Sequence, residues 1–181
     1  MADTPNTTAV SLLLDETGSM SPVRRETISG FNEYVRILKT NELPTTFSLT
    51  TFNTDHFNVI HDGVDIEDIP VLKASQYRPD AMTNLYDSIA KLVNITEASI
   101  AHRFDLGDDK PEVIVTIFTD GQENSSVEHT SSSIKELISR KEKEGWAFVY
   151  LGANQDSFLE SGHIGINARM VANYDAAEPI I

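Results

Sequence analysis

The residues with the most chemical promise are Asp15, Thr17 and Ser19. They follow the apolar run Val10-Ser11-Leu12-Leu13-Leu14, and Gly18, Ser21 and Pro22 complete the stretch. An acid and two hydroxyls at spacing two, on a tight turn, offer one carboxylate and two neutral oxygens. That is a ligand set for a hard cation such as Mg, Mn or Ca. Ser, Thr, Asp and Gly are also ordinary turn residues. Ser21 and Pro22 suit the N-cap and the first position of a helix. On this fragment alone, a cation site and a plain turn that caps a helix both remain open.

To carry such a turn at a sheet edge, residues 10–14 must form a strand. The lack of alternation there reads as a strand buried on both faces. A helix follows from about Pro22 to Lys39, with Phe31, Tyr34, Val35 and Leu38 on one apolar face. Thr46 to Phe52 and Phe57 to His61 read as a hairpin through Asn53-Thr54-Asp55. A mostly irregular crossing spans 62–79. A helix then opens with Thr83 or Asn84 as its cap and presents Leu85, Ile89 and Leu92 inward.

Glu112 to Phe118 reads as a second fully buried strand, ending in Thr119-Asp120-Gly121. Ser133-Ile134-Lys135-Glu136 has the form of a capping box, and its helix stops at Gly145. Trp146 to Leu151 is another buried strand, 157–162 a short helical turn, and Met170 to Tyr174 a last edge strand. Strands alternating with helices mean an α/β fold. The expectation is a three-layer, doubly wound, Rossmann-like domain. Its central sheet is mostly parallel with one antiparallel strand, and helices cover both faces. The domain is expected over residues 9–175, after a loose segment 1–8 and before a tail 176–181.

Composition narrows the function. The chain has 181 residues, 40% of them hydrophobic, enough for one full core. There is no cysteine, so thiolate metal sites and thiol nucleophiles are excluded. The formal net charge of −14 argues against nucleic acid, whose phosphates need clustered Lys and Arg. No apolar run approaches membrane-spanning length, and the first residues lack the charged and apolar regions of a leader. The expectation is a cytoplasmic protein that binds neither membrane nor nucleic acid. The five histidines, at 56, 61, 102, 129 and 163, show no metal-binding spacing.

Such a fold can bring three loops to one edge: the Asp15/Thr17/Ser19 turn, Thr83, and Asp120. Together they resemble the von Willebrand factor A domain with its metal-ion-dependent adhesion site. Asp15-Glu16-Thr17-Gly18-Ser19 is similar to that family's D-x-S-x-S element, Met82-Thr83-Asn84 to its threonine at a later helix start, and Thr119-Asp120-Gly121 to its T-D-G turn. Thr17 replaces the first serine and keeps the hydroxyl. Ala81-Met82 stands where many members carry glycines, which implies a stiffer loop. The family's final helix is not expected within Ala176 to Ile181.

The resemblance implies an octahedral site. Ser19, Thr17 and Thr83 would give neutral oxygens, and Asp15 and Asp120 would act directly or through water. The ion would be Mg²⁺, or Mn²⁺ or Ca²⁺. It would favour a partner protein's Glu or Asp as its sixth ligand, so the function implied is metal-dependent protein binding rather than catalysis. Two alternatives stand beside it. One is a Mg-dependent phosphotransferase or phosphatase of the haloacid dehalogenase kind, but Thr17 occupies the place of that family's second acid. The other is a scaffold whose metal is purely structural. Glu123, Asn124, Asp80 and Asp87 read most simply as turn and helix-start residues, and 154–156 as loop.

Overall fold

β1 (Thr8–Asp15) is paired on both sides, and that makes it the axis of the molecule. The computed structural model describes residues 5–121, 123–152, 161–167 and 170–173. After β1 come α1 (Arg24–Leu38), β2 (Thr45–Phe52), β3 (Phe57–Asp65), α2 (Leu85–Asp105), β4 (Glu112–Thr119), α3 (Ser131–Lys143), β5 (Ala147–Gly152) and β6 (Val171–Asn173). They form one six-stranded sheet in the order β3-β2-β1-β4-β5-β6. β2 and β3 pair antiparallel as a hairpin; the other pairings are parallel.

The period of two in a strand explains how one sheet makes two cores. Val10, Leu12 and Leu14 of β1 point to one face, with Phe47 and Leu49 of β2 and Phe118 of β4. There they meet Phe31 and Val35 of α1. Leu13 points to the other face, with Val115, Ile117, Phe148 and Tyr150, and meets Leu85, Ile89 and Val93 of α2 and Ile134 and Ile138 of α3. Right-handed crossovers require this split. The chain steps from β1 outward to β2 over α1, then returns past β1 to β4 and on to β5 over α2 and α3. The direction of winding therefore reverses between β1 and β4. Loops leaving the carboxyl ends of those two strands diverge there and open a crevice, the usual ligand position in an open α/β sheet. Asp15 ends β1 and Asp120 follows β4.

The three-layer, doubly wound arrangement is as the sequence implies; several element boundaries differ. The strand begins at Thr8, whose N–H donates to the Pro44 carbonyl, while the Thr7 carbonyl accepts from Glu112 N–H. Ser21 and Pro22 do not open α1. They lie within a 3-10 turn over Gly18–Val23, which has no side-chain cap. β3 extends to Asp65, past the expected end at His61. The capping box of α3 lies three residues earlier than expected, with Thr130 as N-cap and Ser133 as its reciprocal partner. Gly145 follows the end of α3 at φ 93°, the left-handed conformation expected of a C′ glycine. The expected turn at 157–162 falls mostly outside the described residues, of which 161–163 are helical. The final positions, 174–181, also lie outside them. No described helix is long and apolar enough to cross a membrane.

Leu12 is fully buried at the centre of the α1-side core. Leu12→Ala should lower unfolding free energy by about 2–5 kcal/mol, read as a lower urea midpoint with an unchanged slope. A midpoint equal to wild type would mean that this core is not close-packed.

Candidate metal centre

Asp15 is 0% exposed at the carboxyl end of β1. Both of its oxygens are engaged. Oδ1 accepts the Thr17 N–H at 2.8 Å, and Oδ2 accepts the Thr119 hydroxyl at 2.6 Å from the end of β4. The Thr119 hydroxyl also accepts the Gly121 N–H at 3.0 Å, so one side chain orients Asp15 and shapes the Asp120-Gly121 turn. Gly121 sits at φ 87°, which a glycine adopts without strain. The Thr17 and Ser19 hydroxyls are in contact at 3.1 Å. Asp15, Thr17, Thr83 and Asp120 are buried, and Ser19 is half-buried.

Burial is the main cause that pushes the Asp15 carboxyl up to about 6. The bonds from Thr119 and Thr17 oppose it, and the nearby Asp120 charge adds to it.

The loop before α2 is stitched to the first turn. The Gly18 N–H donates to the Ala81 carbonyl at 3.0 Å, and the Asp80 N–H to the Glu16 carbonyl at 3.0 Å. The Glu16 carboxylate accepts the Arg78 N–H at 2.6 Å and meets His56 Nε2 at 3.1 Å. The buried Tyr77 hydroxyl donates to the Asp15 carbonyl at 2.5 Å. Burial pushes that phenol's pKa up, so it stays a donor. This lacing ties the loop that bears Thr83 to the turn that follows Asp15.

Asn124 then ties Thr83 to the third loop. Its side-chain oxygen accepts the Thr83 N–H at 3.0 Å, and its own N–H donates to the Thr83 carbonyl at 3.1 Å. The five expected residues therefore belong to three loops held directly to one another. Among the described residues no three His, Cys, Asp or Glu side chains group around one point. The candidate set is instead two carboxylates with three hydroxyls, an all-oxygen set that fits a hard divalent cation. The cost of ionising Asp15 beside Asp120 points the same way, because a cation there would relieve it.

Several contributors were not visible in the sequence. Neither Thr83 nor Asn84 makes a side-chain cap for α2. Glu123 and Ser126 do it from the third loop: the Tyr86 N–H donates to Glu123 Oε2 at 3.0 Å, and the Asp87 N–H to Ser126 Oγ at 3.2 Å. Glu123 is half-buried and also accepts from Ser125 and Ser126, so it is no solvated turn residue. Asp87 does lie in the first turn of α2, but its carboxylate also accepts the N–H groups of Val127, Glu128 and His129. Residues 154–156 lie outside the described residues.

No protein-family model and no curated protein sequence matches the chain. Solved structures do. A manganese-loaded Plasmodium vivax TRAP protein superposes with a TM-score of 0.62 at 15% identity, over 94% of this chain and 69% of that one. Proximal thread matrix protein 1 from the mussel byssus, solved with a zinc-occupied MIDAS motif, gives a TM-score of 0.62 at 15% identity, over 93% of this chain and 44% of its own. Another crystal form of the mussel protein is 16% identical over the same shares. The chain thus spans less than half of the mussel protein. With the strand order above, these likenesses show a von Willebrand factor A-like fold.

Two predictions follow from the site's geometry. Ala81 holds φ 62°, a left-handed conformation that costs a residue with a Cβ about 1 kcal/mol. Ala81→Gly should therefore raise stability by about that amount, seen as a higher melting temperature. An unchanged or lower value would mean that the loop carries no strain.

The second concerns pH. A carboxyl whose folded pKa is raised favours the protonated folded state. Stability from Asp15 therefore falls as pH rises from the ordinary aspartate value of 3.8 to about 6, a penalty of about 3 kcal/mol at neutral pH. In EDTA, Asp15→Asn should gain stability relative to wild type between pH 4 and pH 7 by roughly that amount. Urea midpoints that differ equally at both pH values would refute it.

Proposed function

We propose that this protein is a divalent-metal-dependent protein-binding domain. The metal would be held by Asp15, Thr17, Ser19, Thr83 and Asp120, and a partner's Glu or Asp would complete its coordination. The observation that carries this reading is that the three loops bearing these two buried carboxylates and three hydroxyls are bonded to one another at the switch point between β1 and β4. The likeness to a fold that holds zinc in a MIDAS motif in the mussel protein supports it.

The side chains divide the labour. Asp15 and Asp120 supply a charge of −2, which balances a divalent ion. The hydroxyls of Thr17, Ser19 and Thr83 add oxygens without charge. A bound Mg²⁺ or Mn²⁺ would supply electrophilic attraction for an arriving carboxylate. Without a cation, a chain of formal net charge −14 repels such a group, so attraction and direction both depend on the site. Thr119, Tyr77 and Asn124 fix the loops and touch no partner in this scheme. Both Asp15 oxygens are already bonded within the fold, which suits a fixed charge better than a nucleophile. That favours binding over phosphoryl transfer.

Calorimetry with Mn²⁺ should show one site, lost or weakened at least tenfold in Asp15→Ala and weakened in Thr83→Ala; a removed charged ligand is worth about 1.4 kcal/mol or more. Pull-downs with Mg²⁺ and with EDTA test the partner step. Binding that survives EDTA unchanged would leave the metal a structural role only. Full-strength Mn²⁺ binding by Asp15→Ala would overturn the assignment of ligands.

A further inference from the structure

A cavity of about 320 Å³ lies between α2 and the sheet, at the end of β1 opposite Asp15. It exists because of what β1 and β2 carry on each face. Toward α1 they bear Val10, Leu12, Phe47 and Leu49, all buried. Toward α2 they bear Ala9, Ser11, Thr46, Ser48 and Thr50, which are too small to fill the space under the helix. The walls are aliphatic, from Val59 of β3 and Leu92, Ile95 and Ile100 of α2.

Three features mark the space as built for a ligand. Thr50 lines it and is 2% exposed, yet its hydroxyl makes no side-chain hydrogen bond among the described residues. Its oxygen opens onto the cavity, where it can donate to or accept from a group that enters. Arg103 of α2 closes one wall by donating from Nη2 to the Gly63 carbonyl at 2.9 Å. Gly63 holds φ 59°, and a Cβ there would collide with the guanidinium, so the closure needs glycine. Finally, Asp62, Asp65, Asp108 and Asp109 are exposed and line the opening. Four carboxylates against one guanidinium make the mouth negative, and this selects against anions.

We propose that this cavity binds a small aliphatic amine bearing a hydroxyl at its far end. The ammonium sits among the aspartates, the alkyl body between Val59, Ile95 and Ile100, and the hydroxyl bonds to Thr50. The site is distinct from the metal centre: its mouth by Ala9 lies roughly 20 Å from Asp15 along β1, while Thr50, level with Leu13, lies two residues short of it on the α2 face.

The test is an amide-resolved NMR titration of the full chain with 5-aminopentanol, pentane-1,5-diol and 5-hydroxypentanoate, which share one skeleton and differ in charge. The amine should shift the amides of Ser11, Thr50, Gly63 and Ser99. The diol should bind more weakly and the carboxylate most weakly. Thr50→Val keeps the side chain's shape. It should weaken amine binding about tenfold, the worth of one hydrogen bond, while leaving the melting temperature equal or higher. The surface double variant Asp108→Asn/Asp109→Asn should weaken the amine more than the diol. Carboxylate binding as tight as the amine's would overturn the proposal. So would wild-type amine affinity in Thr50→Val, or the absence of shifts around the cavity at millimolar amine.

Discussion

One hydrogen bond joins the two halves of the candidate centre: the Thr119 hydroxyl to Asp15 Oδ2, across neighbouring strands. The rest of the site follows from the position of that pair. β1 and β4 lie side by side where the winding reverses, so the ends of both strands face one crevice. A carboxylate at the end of a central strand is buried by the strands around it. Burying it without partners would be prohibitive. The bonds from Thr17 and Thr119 make it tolerable without making it comfortable, and its raised pKa records the remainder. A fold that holds unrelieved negative charge in one place is prepared for a cation there, at some cost to its own stability.

The loops around this pair are held by an exchange of acceptors. Glu123 reaches from the third loop to cap α2, and Asp87 reaches from α2 to hold residues 127–129. Asn124 and Thr83 bond backbone to side chain and backbone to backbone. Each loop supplies what the other's N–H groups lack. Thr83 and Asp120 therefore sit on segments that share their hydrogen bonds, and displacing one strains the other.

Much of this was legible in the sequence because periodicity reports burial. The unbroken apolar runs of β1 and β4 mark strands covered on both faces, and the glycines and acids that end them mark the loops. Asp15, Thr17, Ser19, Thr83 and Asp120 could be grouped because each stands at the end of an element. Their supporting contacts could not. Thr119 and Asp15 are 104 positions apart, and Glu123 and Tyr86 are 37. Only the folded backbone sets such pairs. The start of α3 was misplaced for a local reason: Thr130, Ser131, Ser132 and Ser133 can all cap, and the sequence alone does not choose among them. The 3-10 turn at Gly18–Val23 was hidden because Pro22 suits any first turn, while the bond from Gly18 to Ala81 is set by a distant loop.

The placement of β1 also has a consequence for synthesis. Its first sheet neighbour, β2, begins at Thr45, but its second, β4, begins only at Glu112. At about 5–20 residues per second, the strand leaves the ribosome several seconds or more before the partner for its other edge exists. Throughout that interval Leu12, Leu13 and Leu14 lie along an open strand edge, a natural point for chaperone capture or mispairing. Long-range closure of this kind is slow to nucleate. The acidic stretch 105–111 is the last made before β4 arrives, so the nascent chain carries a charged flank just ahead of the strand that completes its core.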